Sequence, residues 1–344
     1  MSVHSYLRAL PKAELHLHLE GAIPAAALLE LAQAKNVKLP GETIDELNVW
    51  FKFRDFDHFL EMFTHIYKCV IDAKDFELIT VALAKDLASQ NVRYAEISFS
   101  PSAHKSRGIP EQVFLEGLKQ GRARAEAEFG VLINWIFDIS RHRDLSYADY
   151  TTELAINCQN EGVLALGLAG QEVGYPAETF AEFFARARKA GLKCAPHAGE
   201  LVGPESVWDA LNSLRADRIA HGVRANEDLA LIKHLSEQEI ALSICPTSNI
   251  CLGVFADIKA HPLPALYAEE VQFTINTDDP TLFNTTLNQE FELLYNEMGF
   301  DLSSIDEIIL NGVKQSFLSG DKKKELLSSF KLQMSDLRHV HLMN

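Results

Sequence analysis

Polar and apolar residues alternate strictly from Glu14 to Glu20 in the stretch Lys12-Ala13-Glu14-Leu15-His16-Leu17-His18-Leu19-Glu20-Gly21. That period of two marks a β-strand and not a helix. Residues two apart share a face of a strand, so His16 and His18 project side by side while Leu15, Leu17 and Leu19 face the other way. Gly21 permits a sharp exit, and Pro24 with the apolar-periodic run behind it predicts a helix over 24–36. The two histidines therefore sit at the C-terminal end of the strand. Helical periodicity continues over about 55–71 and 74–90. In the first of these, Phe56, Phe59 and Phe63 recur at three- and four-residue spacing behind Trp50, Phe51 and Phe53. The spacing fits a core-facing stripe, and equally an aromatic lid over a pocket.

From Val92 onward short apolar strands alternate with helical stretches. The strands predicted are 92–100, 131–140, 163–171, 192–200, 218–223, 241–248 and 271–278. With the first strand they number eight, and the intervening helices include 146–162, 177–190, 204–214, 228–237 and 263–270. Alternation of this kind implies a parallel sheet, and eight units close an α/β (β/α)8 TIM barrel. An open doubly wound sheet is disfavoured, because no strand is followed by a Gly-x-Gly-x-x-Gly turn or a Walker-type loop. Helical segments over 285–317 and 322–332 end the chain. With no repeat, low-complexity tract or linker in sight, 1–344 is expected to form a single domain.

Composition narrows the partners. A content of 47% hydrophobic and 23% charged residues is that of a globular protein, and the formal net charge of −16 leaves no basic surplus for nucleic acid or anionic lipid. The N-terminal residues lack a signal-peptide pattern, and no apolar run reaches the length of a membrane span, so a cytoplasmic protein is expected. Cys69, Cys158, Cys194, Cys245 and Cys251 are odd in number and form no Cys-x-x-Cys pair, which suggests reduced and mostly buried thiols.

The chemistry collects at the strand ends. Strand one ends in His16 and His18, strand five in His197-Ala198-Gly199-Glu200, strand six in His221-Gly222 and strand eight in Asp278-Asp279-Pro280. In a barrel those ends converge on one rim. Three histidines and a carboxylate there make a first shell for a divalent ion, and nitrogen and oxygen donors without thiolate favour zinc or a similar first-row ion. Such an ion lowers the pKa of bound water and points to hydrolysis. The end of strand four, Leu166-Gly167-Leu168-Ala169-Gly170-Gln171-Glu172, lacks the lysine that bridges paired metals, so one ion per chain is expected. Glu200, three residues beyond His197, is placed to carry a proton to an unsaturated substrate.

These motifs carry a resemblance. Pro11–Gly21, His197–Glu200, Arg218–Val223, Cys245-Pro246-Thr247-Ser248-Asn249 and Asn276-Thr277-Asp278-Asp279-Pro280 resemble, in order, the adenosine deaminase family of zinc aminohydrolases. The resemblance implies zinc held by His16, His18, His197 and Asp278, and Glu200 protonating purine N1. It further implies that His221 positions or deprotonates the attacking water, that Asp279 bonds N7 and that the Gly170 backbone meets N3. The expected reaction is hydrolytic deamination of a 6-aminopurine nucleoside, adenosine to inosine in type. Two departures bear on the substrate. Glu20 stands where an aspartate usually reaches the ribose 5′-hydroxyl, and Gly170-Gln171-Glu172 replaces Gly-Asp-Glu. Both resemble relatives acting on adenine or on aminodeoxyfutalosine, so these remain alternatives. Trp50, Phe53, Phe56 and Phe59 are expected to cover the substrate pocket. The loops after strands two and three are basic, with His104, Lys105 and Arg107 in one and Arg141, His142 and Arg143 in the other. They are either a solvated surface or a site where an arginine grips a substrate carboxylate. A metal-storing or purine-binding barrel without activity, or a different single-metal amidohydrolase, is the competing class.

Overall fold

In the computed structural model residues 2–342 are described; Met1, Met343 and Asn344 and the Phe56 side chain lie outside the described residues. Eight strands run parallel and pair in chain order. They are β1 (Lys12–His18), β2 (Val92–Phe99), β3 (Leu132–Ser140), β4 (Val163–Ala169), β5 (Lys193–Ala198), β6 (Arg218–His221), β7 (Ala241–Ile244) and β8 (Phe273–Ile275). The last strand returns to the first through a single bridge between Leu17 and Asp278. There the His18 N–H donates to the Asp278 carbonyl at 2.9 Å and the Asp278 N–H to the His16 carbonyl at 3.1 Å. The result is a nearly closed (β/α)8 barrel wrapped in helices, as the alternation of patterns predicts.

Period-two patterning decides what faces where. In β1, Ala13, Leu15 and Leu17 join the apolar core beneath the outer helices, while Lys12, Glu14 and His16 are buried inside the barrel wall. A small separate apolar layer of Ile136, Ala165 and Ala195, with Phe317 packed against it, fills the middle of the barrel. Towards the N-terminal strand ends, Arg218 donates to Glu96 at 2.7 Å and to the carbonyls of Leu15 and Gln315 at 3.1 and 3.0 Å. Glu96 also accepts from the Tyr94 hydroxyl at 2.7 Å and the Phe317 N–H at 2.5 Å. That floor is polar and buried, and of the Tyr94, Glu96 and Arg218 side chains only Arg218 Nε lacks a partner.

Helices observed over Ala25–Lys35, Phe56–Cys69, Ala73–Ser89, Leu145–Asn157, Pro204–Ser213 and Leu229–Glu237 match those expected, with ends shifted by a few residues. The long helix Glu111–Phe129 fills the interval between β2 and β3 and packs against Ala73–Ser89. The strand reading overshoots in the second half of the chain. The stretch 241–248 ends as a strand at Ile244, because Pro246 opens a short helix over Pro246–Cys251. The expected continuous helical run 285–317 is split into Leu287–Asn296 and Leu302–Lys314 by a turn containing Gly299 at φ 79°. No helix among the described residues is long and apolar enough to cross a membrane. All five cysteines are free, four of them buried and Cys251 half-buried.

Because Glu96 and Arg218 are both almost fully buried, removing one leaves the other an unpaired charge in the barrel floor. Arg218→Met is expected to cost about 3–5 kcal/mol of stability, read as a drop in the urea midpoint. A loss below about 1 kcal/mol would show that Glu96 finds other compensation.

Candidate active site

His16 and His18 leave β1, His197 leaves β5, and Asp278 follows β8, and all four meet at the C-terminal rim. His197 Nε2 lies 3.1 Å from His16 Nε2 and 3.2 Å from His18 Nε2. Asp278 Oδ1 lies 3.5 and 3.3 Å from the same two nitrogens. A tetrahedron of ligands at about 2.0–2.1 Å from a central ion has edges of about 3.3 Å. The observed spacings match that edge, so the donor set fits a divalent ion such as zinc. The surroundings orient the donors. His16 Nδ1 sits 3.0 Å from the Ser243 carbonyl, which can only accept, so Nε2 presents its lone pair to the cluster. The Ser248 hydroxyl donates to Asp278 Oδ2 at 2.7 Å. Cys245 Sγ approaches His16 from behind, 3.5 Å from Nδ1, the nitrogen that faces away from the other three donors.

At the rim the chain turns sharply, at the last residue of β6 and three residues beyond β8. His221 and Asp278 adopt φ 63° and 67°, the left-handed region that side-chain-bearing residues rarely enter. Backbone of this kind costs on the order of 1–3 kcal/mol per residue and clusters where function demands it.

Glu200 and His221 complete the rim: His221 Nε2 lies 3.5 Å from Glu200 Oε1 and 3.9 Å from Asp278 Oδ2. The loop bearing Glu200 is held by Glu172, which accepts the N–H groups of Gly199, Leu201 and Val202 at 2.6, 2.7 and 2.8 Å and the Ser206 hydroxyl at 2.5 Å. Burial, with the charges of Asp278 and Glu172, raises the pKa of Glu200 well above the carboxylate range, which favours its protonated form. Burial, and then Asp278, do the same to Asp279. Asp279 Oδ1 is buried without a hydrogen-bond partner. Its neighbour Gly21 has no room for a side chain, since a Cβ there would stand 1.6 Å from that oxygen. Gly170 ends β4 with its backbone exposed at φ 88°, next to His142.

Residues 11–332 match the adenosine deaminase family model. The chain belongs to the adenosine deaminase family. It is 38% identical to an aminodeoxyfutalosine deaminase of Streptomyces avermitilis over 94% of this chain and 91% of that one. It is 36% identical to an adenine deaminase of Rhodospirillum rubrum, covering 94% and 96% of the two chains. The crystal structure of an adenine deaminase from Arthrobacter aurescens superposes with a TM-score of 0.89 at 31% identity, over 95% of this chain and 99% of that one. As a family member the protein is a deaminase acting on a purine amino group.

Around this family core the rim is partly as expected. Phe59 stacks on Phe283 at 5.7 Å between ring centroids, and Phe53 meets the same ring at 5.8 Å. Phe283 follows Asp279 by four residues, so these two aromatics pack against the segment that leaves β8. The row continues through Phe63 and Tyr67 to His104, with centroid spacings of 5.0, 5.7 and 5.6 Å. Trp50 departs from the expectation. It packs edge-on against His58 and His65 of the adjoining helix, because its ring finds apolar cover there. Phe56 opens that helix, and its side chain lies outside the described residues.

The basic loops are mostly not free surface. His104 is fully buried, and its Nε2 bonds Glu20 at 2.5 Å while Arg107 donates to its Nδ1 at 2.7 Å. Arg141 is buried and donates to the carbonyls of Tyr175 and His197, which makes it a brace for β5 and unavailable to a substrate. Lys105 lies over the Tyr150 ring, and His142 is exposed.

Pattern reading gave no role to four of these side chains. Asp138 stands 3.7 Å from His18 Nδ1, behind the metal-facing nitrogen. Its only sequence signal is a carboxylate inside the apolar run Trp135–Ile139. Glu172 and Phe283 carry none beyond their place after β4 and β8, and His261, which lies behind Asn249, has no signal at all.

The electrostatics of the metal-free cluster set a pH dependence. Burial opposes charge on His18, but Asp278, Asp279 and Asp138 outweigh it and raise its pKa to about 10. Ion binding needs a bare Nε2 and must release that proton. Affinity for zinc is therefore expected to rise with pH, by about tenfold per unit for this one proton below its folded pKa. Chelator competition across the neutral range measures it, and a flat affinity would mean that the nitrogen is already bare.

Proposed function

We propose that the protein is a zinc-dependent hydrolase that replaces the C6 amino group of an adenine nucleoside by oxygen and releases ammonia. We propose further that the preferred nucleoside carries a carboxylate beyond its sugar, as aminodeoxyfutalosine does. The observation that carries this substrate is Arg143. Its guanidinium is half-buried at the rim, rests 5.7 Å over the Tyr147 ring and bears on His104 and Tyr67. Its Nε is buried without a hydrogen-bond partner, and among the described residues no carboxylate pairs with it. A planar guanidinium in that state is shaped for a bidentate carboxylate contact, which adenosine and adenine cannot make. The aminodeoxyfutalosine deaminase of Streptomyces avermitilis, 38% identical, supports the same reading.

Bound zinc, held by His16, His18, His197 and Asp278, would supply a nucleophilic hydroxide at neutral pH. The protein's own groups do the rest. Protonated Glu200 donates to purine N1 as oxygen adds to C6, which keeps the ring neutral. Protonated Asp279 offers a donor to N7, and the exposed Gly170 backbone faces N3. The amine leaves as ammonia once it has gained a proton, and C6 becomes a carbonyl. Phe53, Phe59 and Phe283 exclude bulk water from the ring. One ion per chain suffices, the roles all fall on one barrel that we assign to residues 1–344 as a single domain, and the five free thiols suit a reducing compartment such as the cytoplasm.

A second reading has an observation of its own. Glu20 is buried and anchored by His104, and its carboxylate could accept the N9–H of free adenine. Ammonia release from aminodeoxyfutalosine, adenosine and adenine separates the readings. The first is expected to show the highest kcat/KM, and Arg143→Ala to reduce that value by roughly tenfold or more, as loss of a charge-assisted pair does, while sparing adenosine. Preference for the free base would overturn the nucleoside assignment, and equal loss on both nucleosides would remove the carboxylate contact. Glu200→Gln is expected to keep zinc but to lower kcat by roughly 10²–10⁴-fold, the range of a positioned proton donor. A near-normal rate would move the proton transfer to another group.

A further inference from the structure

We infer that Asn249 and His261 are positioning residues that hold His221 in the tautomer with Nε2 protonated, so that His221 donates, and does not accept, a hydrogen bond at the catalytic face. The inference rests on the deaminase reading and decides which of two roles His221 takes in it.

Three contacts lead away from the rim into the protein. His221 Nδ1 lies 3.4 Å from Asn249 Nδ2. Asn249 Oδ1 lies 3.2 Å from His261 Nε2. His261 Nδ1 lies 3.2 Å from the backbone nitrogen of Leu263. All three side chains are buried, Asn249 completely, so no solvent competes for these bonds. The direction of the chain follows from its far end. A backbone N–H can only donate, so His261 Nδ1 must be bare and the proton of a neutral imidazole must sit on Nε2. That proton goes to Asn249 Oδ1, which fixes the amide orientation without any choice between its oxygen and nitrogen. The Asn249 amide then donates to His221 Nδ1, and a protonated Nδ1 would set two donors against each other. The proton of His221 is thereby placed on Nε2.

Nε2 is the atom that faces Glu200 and Asp278 at 3.5 and 3.9 Å. A ring nitrogen that already carries a proton cannot take one from the attacking water. His221 accordingly orients and stabilises the incoming oxygen, and the proton lost by water passes to a carboxylate. Glu200, its own proton given to N1, is the available acceptor and passes that proton on to the departing amine. His221 begins and ends the reaction with the same proton. Its companion His261 is a device for direction only, 4% exposed and remote from substrate.

The test reads the tautomer directly. In zinc-loaded, substrate-free protein labelled with ¹⁵N-histidine, proton–nitrogen correlation spectra distinguish protonated from bare ring nitrogens, and the His221 signals are identified by their loss in His221→Gln. Wild-type protein is expected to show Nε2 protonated and Nδ1 bare. This measurement needs no turnover, so it can fail while deamination stands. Asn249→Asp replaces the donor by an acceptor and is expected to move the His221 proton to Nδ1. It should lower kcat by roughly 10²-fold, the cost of losing one oriented donor at a reacting oxygen, with zinc content and KM unchanged. His261→Gln, whose amide can still donate to Asn249, is expected to retain more of the rate than His261→Phe. A bare Nε2 in wild-type protein would overturn the inference, as would an Asn249→Asp protein with Nδ1 protonated and an undiminished kcat.

Discussion

The closure between β1 and β8 is the constraint on which this active site depends. β8 is only three residues long, and it meets β1 beyond its own end, through the bridge Leu17–Asp278. The residues flanking and forming that bridge, His16, His18 and Asp278, supply three of the four donors in the cluster. Closing the barrel and assembling the donor set are thus one event. An ion held there would bind across the seam and stabilise the closed barrel by mass action, because the unfolded chain has no preformed site.

The two ends of the barrel treat buried polar groups differently. At the floor, Glu96 gathers three donors, and Arg218 is bound to a carboxylate and two carbonyls. At the rim, His197 Nδ1, Asp279 Oδ1 and Arg143 Nε are buried and unpartnered. A buried polar atom without a partner costs on the order of 1–3 kcal/mol. Those at the rim, beside left-handed His221 and Asp278, leave bonding capacity for a ligand, whereas in the floor Arg218 Nε is also unpartnered but both terminal nitrogens of the same guanidinium are bonded.

Three carboxyl groups share the rim and are sorted by their partners. Asp278 is drawn well below the usual range, since the imidazoles of His16 and His18 beside it outweigh its burial. Glu200 and Asp279, buried beside that charge without an imidazole bonded to them, are pushed the other way. The environment thus pushes the charged form of one carboxyl group and the neutral form of the other two, a sorting of chemically similar groups.

The sequence by itself determined the barrel, the rim and most of its reactive residues. Period-two alternation in β1 put His16 and His18 on one face, and the strand–helix alternation brought His197, His221 and Asp278 to the same end, because strand direction is common to every βα unit. What pattern could not show was direction and partnership. That Arg141 braces β5 while Arg143 stands free depends on which carbonyls lie near, although both follow the same strand. Trp50 packs instead on His58 and His65 of the adjoining helix, contacts that its place in the sequence does not announce. Asn249 meets His221, and His261 meets Asn249, only through tertiary packing, across 28 and 12 residues of chain respectively. Periodicity records which face a side chain occupies. Which hydrogen bond it completes, and in which direction, is decided by residues far away in sequence, and only the folded barrel brings those together.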